Sequence, residues 1–359
     1  MSMTQDPFPS GGETPFGRVT LVVIPTLDEA QHITPLLEQF LAQSAALPER
    51  RIVVVDGGST DSTVSQVTAL QARHPELRLL HNPARIQSAA VNLAARRLGR
   101  DADVLIRCDA HAEYPQDYCQ RLIDTLERTG ADAVVVPMDS VGTSCWQRAV
   151  AWVSNSVVGT GGAAHRGGQR SGFVDHGHHA AFRMDSFRRA GGYDESFTHN
   201  EDAELDCRQR ALGARLFLDT DIRIAYHPRD TIAGLWRQYF RYGAGRSRTI
   251  RRHPGSWRLR QAAVPLHLLL TSITLPLGLL QPLLWAWPAF YLGVLAVTSI
   301  HMAWRHRSAC GLLSGVAASV MHVAWGFGFF HGLLTRRERA WEPGMTHPLW
   351  PEGNPQTSS

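Results

Sequence analysis

Between Asp230 and Glu338 the chain contains neither aspartate nor glutamate. A break of that length splits it into two halves that must fold by different rules. The acid-free half opens with arginines at 237, 241, 246, 248, 251, 252, 258 and 260. Residues 262–280 and 283–304 then run apolar and uncharged, and a bilayer crossing needs roughly 20 such residues. A third apolar stretch, 309–334, is softened by His322, His331 and several glycines. Arginines ahead of the first stretch, with Arg305 and Arg307 after the second, place both flanks on the cytosolic side of a hairpin turning near Gln281 and Pro282. The third stretch has arginine on both sides, which leaves crossing and re-entry equally open. A basic run can also serve nucleic acid. The apolar spans behind this one favour anionic headgroups instead, so a membrane is the expected partner and nucleic acid is not.

The first half reads as one large domain. Residues 18–25 (RVTLVVIP), 51–55 (RIVVV), 77–81 and 103–108 are short, β-branched, apolar runs, and helical patterns at 33–41 and 88–98 alternate with them. That alternation predicts an α/β domain with a parallel, doubly wound sheet. Ligands of such sheets sit beyond the carboxyl ends of the strands. Pro25, Glu29, Asp56 and Asp109 fall at or just past those ends, which makes them candidates for donor binding. The expected boundaries are a disordered tail over 1–17 with no signal-peptide core, the α/β domain over 18–230, a basic interfacial segment over 231–260, two or three membrane helices over 261–334, and a tail over 335–359.

All 36 basic residues are arginine. Lysine chemistry is therefore excluded, from Schiff bases to the P-loop cation, and any phosphate must be held by arginine, metal or backbone amides. The five cysteines include no C-x-x-C spacing, so neither a disulfide framework nor a zinc ribbon is expected and a reducing compartment fits.

Four motifs carry chemistry. Asp56-Gly-Gly-Ser-Thr-Asp is either a capped turn or part of a ligand site. A second acidic strand end at Asp109 favours the site, since two carboxylates at one sheet edge repel unless a ligand separates them. Asp109 and His111 stand at i and i+2, so both can reach one ion, and a carboxylate with an imidazole suits Mn²⁺ better than Mg²⁺. His176, His178 and His179 have no partner Cys or carboxylate at ligand spacing, which favours polar contacts over zinc. Asn200-Glu201-Asp202 opens a helix, with Glu204 and Asp206 expected to face solvent or to pair with Arg208 and Arg210. The glycine-rich run 159–168 lacks the context of a phosphate loop and reads as a mobile loop over the donor.

Downstream, Gln238 and Arg241 stand three apart on one helix face, followed by Tyr242. A carboxylate ahead of Gln-x-x-Arg-Tyr resembles the processive-type branch of the family 2 glycosyltransferases. Cys108 to Ala112 (CDAHA) is similar to the ExoA-type branch of succinoglycan and exopolysaccharide biosynthesis, and Phe173 to Asp194 resembles the family's acceptor-side segment. His111 departs from the family's Asp-x-Asp. The resemblance implies a GT-A fold, a Rossmann-like mixed sheet flanked by helices and followed by C-terminal membrane helices. It implies a metal-dependent, inverting transfer from a nucleotide-sugar, UDP-linked, to a lipid-linked saccharide at the bacterial inner membrane, with the catalytic half cytosolic. In that scheme Asp202 is the base, Asp56 meets the nucleobase or ribose, Asp109 and His111 hold Mn²⁺ or Mg²⁺ and the diphosphate, and Gln238, Arg241 and Tyr242 line the acceptor and diphosphate end. A chain ending near Pro254 is then expected to be more soluble and still to bind UDP. The rivals are a polyprenyl-phosphate sugar transferase, which the Gln-x-x-Arg-Tyr motif opposes, and a non-catalytic membrane scaffold, which the retained Asp56, Asp109, Asp202 and Arg241 oppose.

Overall fold

The computed structural model describes residues 19–42, 49–161 and 170–345; the expected N-terminal tail, most of the glycine-rich run and the end of the C-terminal tail lie outside them. The first half begins as an alternation: β1 (Val19–Thr26), α1 (Ile33–Ala42), β2 (Glu49–Asp56), α2 (Thr63–Gln71), β3 (Leu77–His81), α3 (Gln87–Leu98) and β4 (Val104–Arg107). It continues through β5 (Ala112–Glu113), α4 (Tyr118–Thr129), β6 (Ala133–Val136), β7 (Met138–Ser140), α5 (Cys145–Ser154), α6 (Val157–Thr160), β8 (Gly172–Val174), β9 (His178–Arg183), α7 (Met184–Arg189), α8 (Glu201–Ala211), β10 (Leu216–Leu218) and β11 (Ile224–Tyr226). The acid-free half supplies four helices, α9 (Ile232–Arg252), α10 (Arg260–Leu277), α11 (Ala286–Arg305) and α12 (Ser314–Thr335).

Eight strands form one sheet in the order β3-β2-β1-β4-β9-β6-β10-β8, and β5-β11-β7 form a second. The sheet is mixed, which corrects the parallel arrangement that the alternation predicts. β1 to β4 are parallel, but β9 runs antiparallel to both β4 and β6, and β8 antiparallel to β10. The reversal matters for the site. Leu105 pairs with Phe182 and Ile106 with Ala181, so the start of β9, His178 and His179, lies beside the carboxyl end of β4. The continuous apolar runs are explained by burial of both faces: Val22, Ile24, Ile52, Val54 and Ile106 pack on one side, and Leu21, Val23, Val53, Val55 and Leu105 on the other.

The acid-free half is packed onto this domain. Helices α9 and α12 run alongside each other in parallel: Gly328 meets the Phe240 carbonyl, Gly332 meets Ala244, and Arg251 donates to Gly332 O at 2.7 Å. A Cβ at Gly243 or Gly328 would collide with backbone of the other helix, so glycine sets this separation. Val150 and Val153 of α5, Leu235 of α9, Leu295 of α11 and Met321 of α12 share one apolar cluster. A chain ending near Pro254 would bare the faces of α5 and α9 that α11 and α12 cover, and the packing therefore predicts poorer solubility, reversing the sequence expectation.

Two helical stretches, Pro282–Arg305 and Ala309–Thr335, are long and apolar enough to cross a membrane, while Gln261–Leu277 is apolar but shorter. The first two differ in burial, 11% against 50%, because α12 has α9 and α5 along its side. Trp152 of α5 stacks on His306 at 4.2 Å, and Ser314 Oγ donates to Ala149 O at 3.3 Å. Cys145 and Cys310 form a disulfide at the same place. That bond corrects the expectation of unpaired cysteines. It closes 165 residues of chain, a separation from which no pairing can be read.

Candidate active site

The site is assembled where β1, β2 and β4 end and α8 begins. Arg107, the last residue of β4, is its centre: a buried guanidinium on an otherwise apolar strand, which must be paired to be tolerated. Its Nη1 donates to Asp202 Oδ1 at 2.5 Å and to the Tyr193 hydroxyl at 3.2 Å. Its Nη2 lies 3.5 Å from Asp109 and 3.9 Å from Glu201. Arg107 thus holds together the two carboxylates expected to carry chemistry, yet sequence reasoning missed it. The available signal was a single arginine in an apolar strand just before Asp109.

Asp109 is fixed through its backbone by Tyr114, whose hydroxyl accepts from the Asp109 N–H at 2.6 Å. Its Oδ1 accepts from Gln87 Nε2 at 2.5 Å, and its Oδ2 lies 3.7 Å from His178. Burial would raise this carboxyl's pKa; Arg107, His178 and His111 prevail and lower it, so the group stays ionised. His111 turns its Nδ1 to Glu29 Oε1 at 2.9 Å, and that hydrogen bond raises the imidazole pKa against the opposing effect of burial. Among the described residues no three His, Cys, Asp or Glu side chains group as a ready-made ion cage. The donors still fit a divalent ion shared with a substrate: Asp109 is ionised, and a histidine whose Nδ1 faces a carboxylate presents Nε2 outward, as metal-bound histidines do.

Helix α8 starts at Asn200, which takes a left-handed φ of 64° that asparagine tolerates. Instead of capping the helix, the Asn200 amide donates to Tyr242 O at 2.9 Å, tying α8 to α9. This presents Glu201 and Asp202 to the cleft in the first turn, where the helix dipole favours negative charge. Burial would raise the Asp202 pKa, but Arg107 and then His179 drive it well below the usual carboxylate range. Glu201 moves the other way, up to about 7, through burial and the neighbouring Asp202 charge.

The histidine run reaches carboxylates distant in sequence, which corrects the reading that it has none. His179 is fully buried, its Nε2 2.5 Å from Asp206 Oδ1 and its Nδ1 3.2 Å from Asp202 Oδ1 and 2.9 Å from the Tyr193 hydroxyl. His176 Nδ1 lies 2.6 Å from Asp206 Oδ2. Asp206 is buried on the sheet side and does not pair with Arg210, which instead reaches Asp175 at 2.9 Å. Asp202 and Asp206 are i and i+4 on α8, a shared face that the spacing itself could have disclosed. Glu204 does pair with Arg208, at 2.6 Å, but inside the protein rather than in solvent. His178 sits between the two catalytic candidates, 3.9 Å from Asp202 Oδ2, and burial drops its pKa to about 4, leaving it neutral.

Asp56 is turned into its own loop, accepting from Gly58 N at 2.8 Å and from the Ser59 hydroxyl at 2.5 Å. Gly57, rather than Asp56, lines the cleft, with Pro25 and Glu29. Gln238 donates to the hydroxyls of Tyr226 at 2.8 Å and Tyr242 at 3.0 Å, so its amide braces the aromatic wall. Arg241 is exposed in the cleft, and no carboxylate pairs with it among the described residues. Burial, helped by the charges of Arg241 and Arg229, holds His199 down at about 4. Pro25, Glu29, Asp109, His111, Asp202, Gln238, Arg241 and Tyr242 therefore face one cavity of about 1660 Å³. The same cavity extends to Val264, His267, Tyr291 and Trp325 of α10 to α12.

The sequence profile of the family described as Glycosyl transferase family 2 matches residues 21–191. The chain is 43% identical over 330 residues to the succinoglycan biosynthesis protein ExoA of Rhizobium meliloti, covering 89% of this chain and 96% of that one. It is 22% identical over 321 residues to a dolichyl N-acetyl-α-D-glucosaminyl phosphate 3-β-D-2,3-diacetamido-2,3-dideoxy-β-D-glucuronosyltransferase of Methanococcus voltae, covering 87% and 96%. Among solved structures, the mannosyltransferase PcManGT of Pyrobaculum calidifontis, determined with GDP-Man and Mn²⁺, superposes with a TM-score of 0.53 at 19% identity, covering 87% of this chain and 91% of that one. That likeness establishes a shared GT-A architecture.

Proposed function

The chain belongs to glycosyltransferase family 2, and from that premise we propose that it transfers a sugar, with inversion, from a UDP-sugar to a lipid-linked saccharide in exopolysaccharide assembly. One observation carries the reading. A single cavity joins the ionised end, Asp109 and Asp202, past Arg241 to the side chains of the apolar helices. A nucleotide-sugar is polar throughout and needs only the first end. An acceptor that brings its own lipid needs the second. The names of the two relatives, a succinoglycan biosynthesis protein and a glucuronosyltransferase acting on a dolichyl N-acetyl-α-D-glucosaminyl phosphate, support the same assignment.

The chemistry is a direct displacement at the anomeric carbon. Asp202 Oδ1 is held by Arg107 and His179, while Oδ2 takes no hydrogen bond among the described residues and is the oxygen offered to the acceptor hydroxyl. Removing that proton as the C–O bond forms is the general-base step. Arg241 faces the charge that grows on the departing diphosphate. Asp109 and His111 would hold a divalent ion, Mn²⁺ in preference to Mg²⁺, which supplies further charge neutralisation to the diphosphate. Gln238 positions Tyr242 and Tyr226 beside the sugar.

The enzyme is anchored by its apolar C-terminal helices, α10 and α11 forming a hairpin in which His267 packs on Tyr291 at 4.0 Å. The stacking of Trp152 on His306 puts the end of α11 on the catalytic side, and α12 lies along basic α9 instead of standing alone in lipid. Nucleotide-sugars place that side in the cytosol; the Cys145–Cys310 bond is the one feature that pulls toward an oxidising compartment. Purified protein in vesicles, given UDP- and GDP-sugars with membrane extract as acceptor, tests the proposal. Label in the lipid-extractable fraction from a UDP-sugar is expected. No transfer from any donor would overturn it.

A further inference from the structure

Behind the cleft stands a file of buried groups that the displacement does not itself use, Asp206, His179 and Tyr193, which His176 joins from the cavity wall. We propose that Asp206 and His179 are positioning residues for the base, with Asp206 holding His179 as an imidazolium and that cation fixing Asp202 so that Oδ2 faces the acceptor. The proposal rests on Asp202 being the base.

The geometry is that of a clamp. His179 Nε2 hydrogen-bonds Asp206 Oδ1 at 2.5 Å, while Nδ1 faces the Tyr193 hydroxyl at 2.9 Å and lies 3.2 Å from Asp202 Oδ1, so that a doubly protonated ring is paired with a carboxylate on both sides. The ring cannot swing away, because it is fully buried and packs edge-on against Phe182 at 4.7 Å. Asp206 is held from its other side by His176 at 2.6 Å and by the Gly177 N–H at 3.4 Å. The charged and titratable groups around His179 are Asp202 and Asp206 from α8, Arg107 from β4, Tyr193 after α7, and its neighbours His176 and His178; Glu201 acts on it through Asp202. Counted together, Asp206, His179, Asp202 and Arg107 make two anions and two cations in alternation, a neutral arrangement that a buried site can sustain. Burial disfavours the imidazolium, yet the two carboxylates overcome it and lift the His179 pKa to about 10. The cation therefore persists through physiological pH and is lost only as pH rises toward 10. Asp206 is what separates His179 from an ordinary imidazole.

The test uses the full-length protein with donor and lipid acceptor. Asp206→Asn removes the anion but keeps the shape. Turnover should fall roughly 10- to 100-fold, as for other carboxylates that orient a working histidine, with the donor KM unchanged. The pH profile of kcat should gain a descending limb between about pH 6 and 9, where the unsupported His179 now loses its proton. Asp206→Glu should recover turnover and abolish that limb. Should Asp206→Asn not fold, His179→Asn, which keeps a donor toward Asp202 without the charge, should lower kcat and leave the alkaline side flat. Wild-type turnover with an unaltered profile in the folded variant would make the file merely structural and overturn the proposal. If Asp202→Asn itself leaves transfer intact, the base assignment falls and this proposal with it. If Asp202→Asn abolishes transfer while Asp206→Asn changes nothing, only the positioning role falls.

Discussion

The two ends of the cleft solve the problem of buried polarity in opposite ways. At the sheet end, carboxylates go inside and are met by neighbours: Asp202 by Arg107 and His179, Asp206 by hydrogen bonds from His176 and His179, Glu204 by Arg208 and a hydrogen bond with His253. Residues 231–337, which build the helical end, carry no carboxylate of their own. Helices α9 and α12 approach through Gly243, Gly328 and Gly332, and Arg251 is satisfied by the carbonyls of Gly332 and Arg336. Three of the arginines that open the acid-free half pair with anions outside it: Arg252 with Asp194, Arg258 with Asp175 and Arg248 with Glu338. Paired charge at one end holds reactive groups in fixed protonation states. Backbone-to-backbone packing at the other gives a rigid wall with an apolar surface. Under the proposed function the two substrates differ in that same way.

The contrast can be broken most severely at the sheet end. Chelation by EDTA should abolish transfer and Mn²⁺ should restore it best, with His111→Asp moving the preference toward Mg²⁺ as an oxygen replaces a nitrogen ligand; full activity in EDTA would remove the ion from the account. Next in size, Arg241→Ala should lower kcat by roughly 10²-fold while UDP affinity changes little, since its charge is matched to the breaking bond. A loss of UDP affinity with turnover preserved would recast Arg241 as a ground-state contact. The smallest effect belongs to the helical end. Gly328→Ala forces a Cβ against the Phe240 carbonyl and should destabilise the protein by about 1–3 kcal/mol, leaving UDP binding in place. An unchanged melting temperature would mean that α9 and α12 do not need that approach.

What was legible in the sequence followed from local rules. The strands were readable because both faces are buried and β-branched runs announce that. Asp109 was readable as a strand end and Asp202 as a helix start, while Arg241 came from the Gln-x-x-Arg-Tyr resemblance; all three line one cavity. What was hidden depended on tertiary pairing. Nothing near His178 in the chain says that β9 runs backward between β4 and β6, and that reversal is what brings the histidines to Asp109 and Asp202. Asp206 looked like a solvent residue because an i, i+4 arginine offered a surface partner, whereas a buried imidazole took it. Cys145 and Cys310 meet only because α5 packs against the loop after α11. The third apolar stretch could not be told from a span, since a helix that hides one face on α9 has the same composition as one that hides in lipid.

The central claim is that Asp202 removes the acceptor proton inside this cleft. The most direct test is single-turnover transfer from a labelled UDP-sugar to lipid-linked acceptor by wild-type protein and by Asp202→Asn, with UDP binding measured on the same samples. The account predicts a loss of roughly 10²-fold or more in the transfer rate with nucleotide affinity retained, because only the proton acceptor has gone. Transfer by the variant at close to the wild-type rate would contradict it.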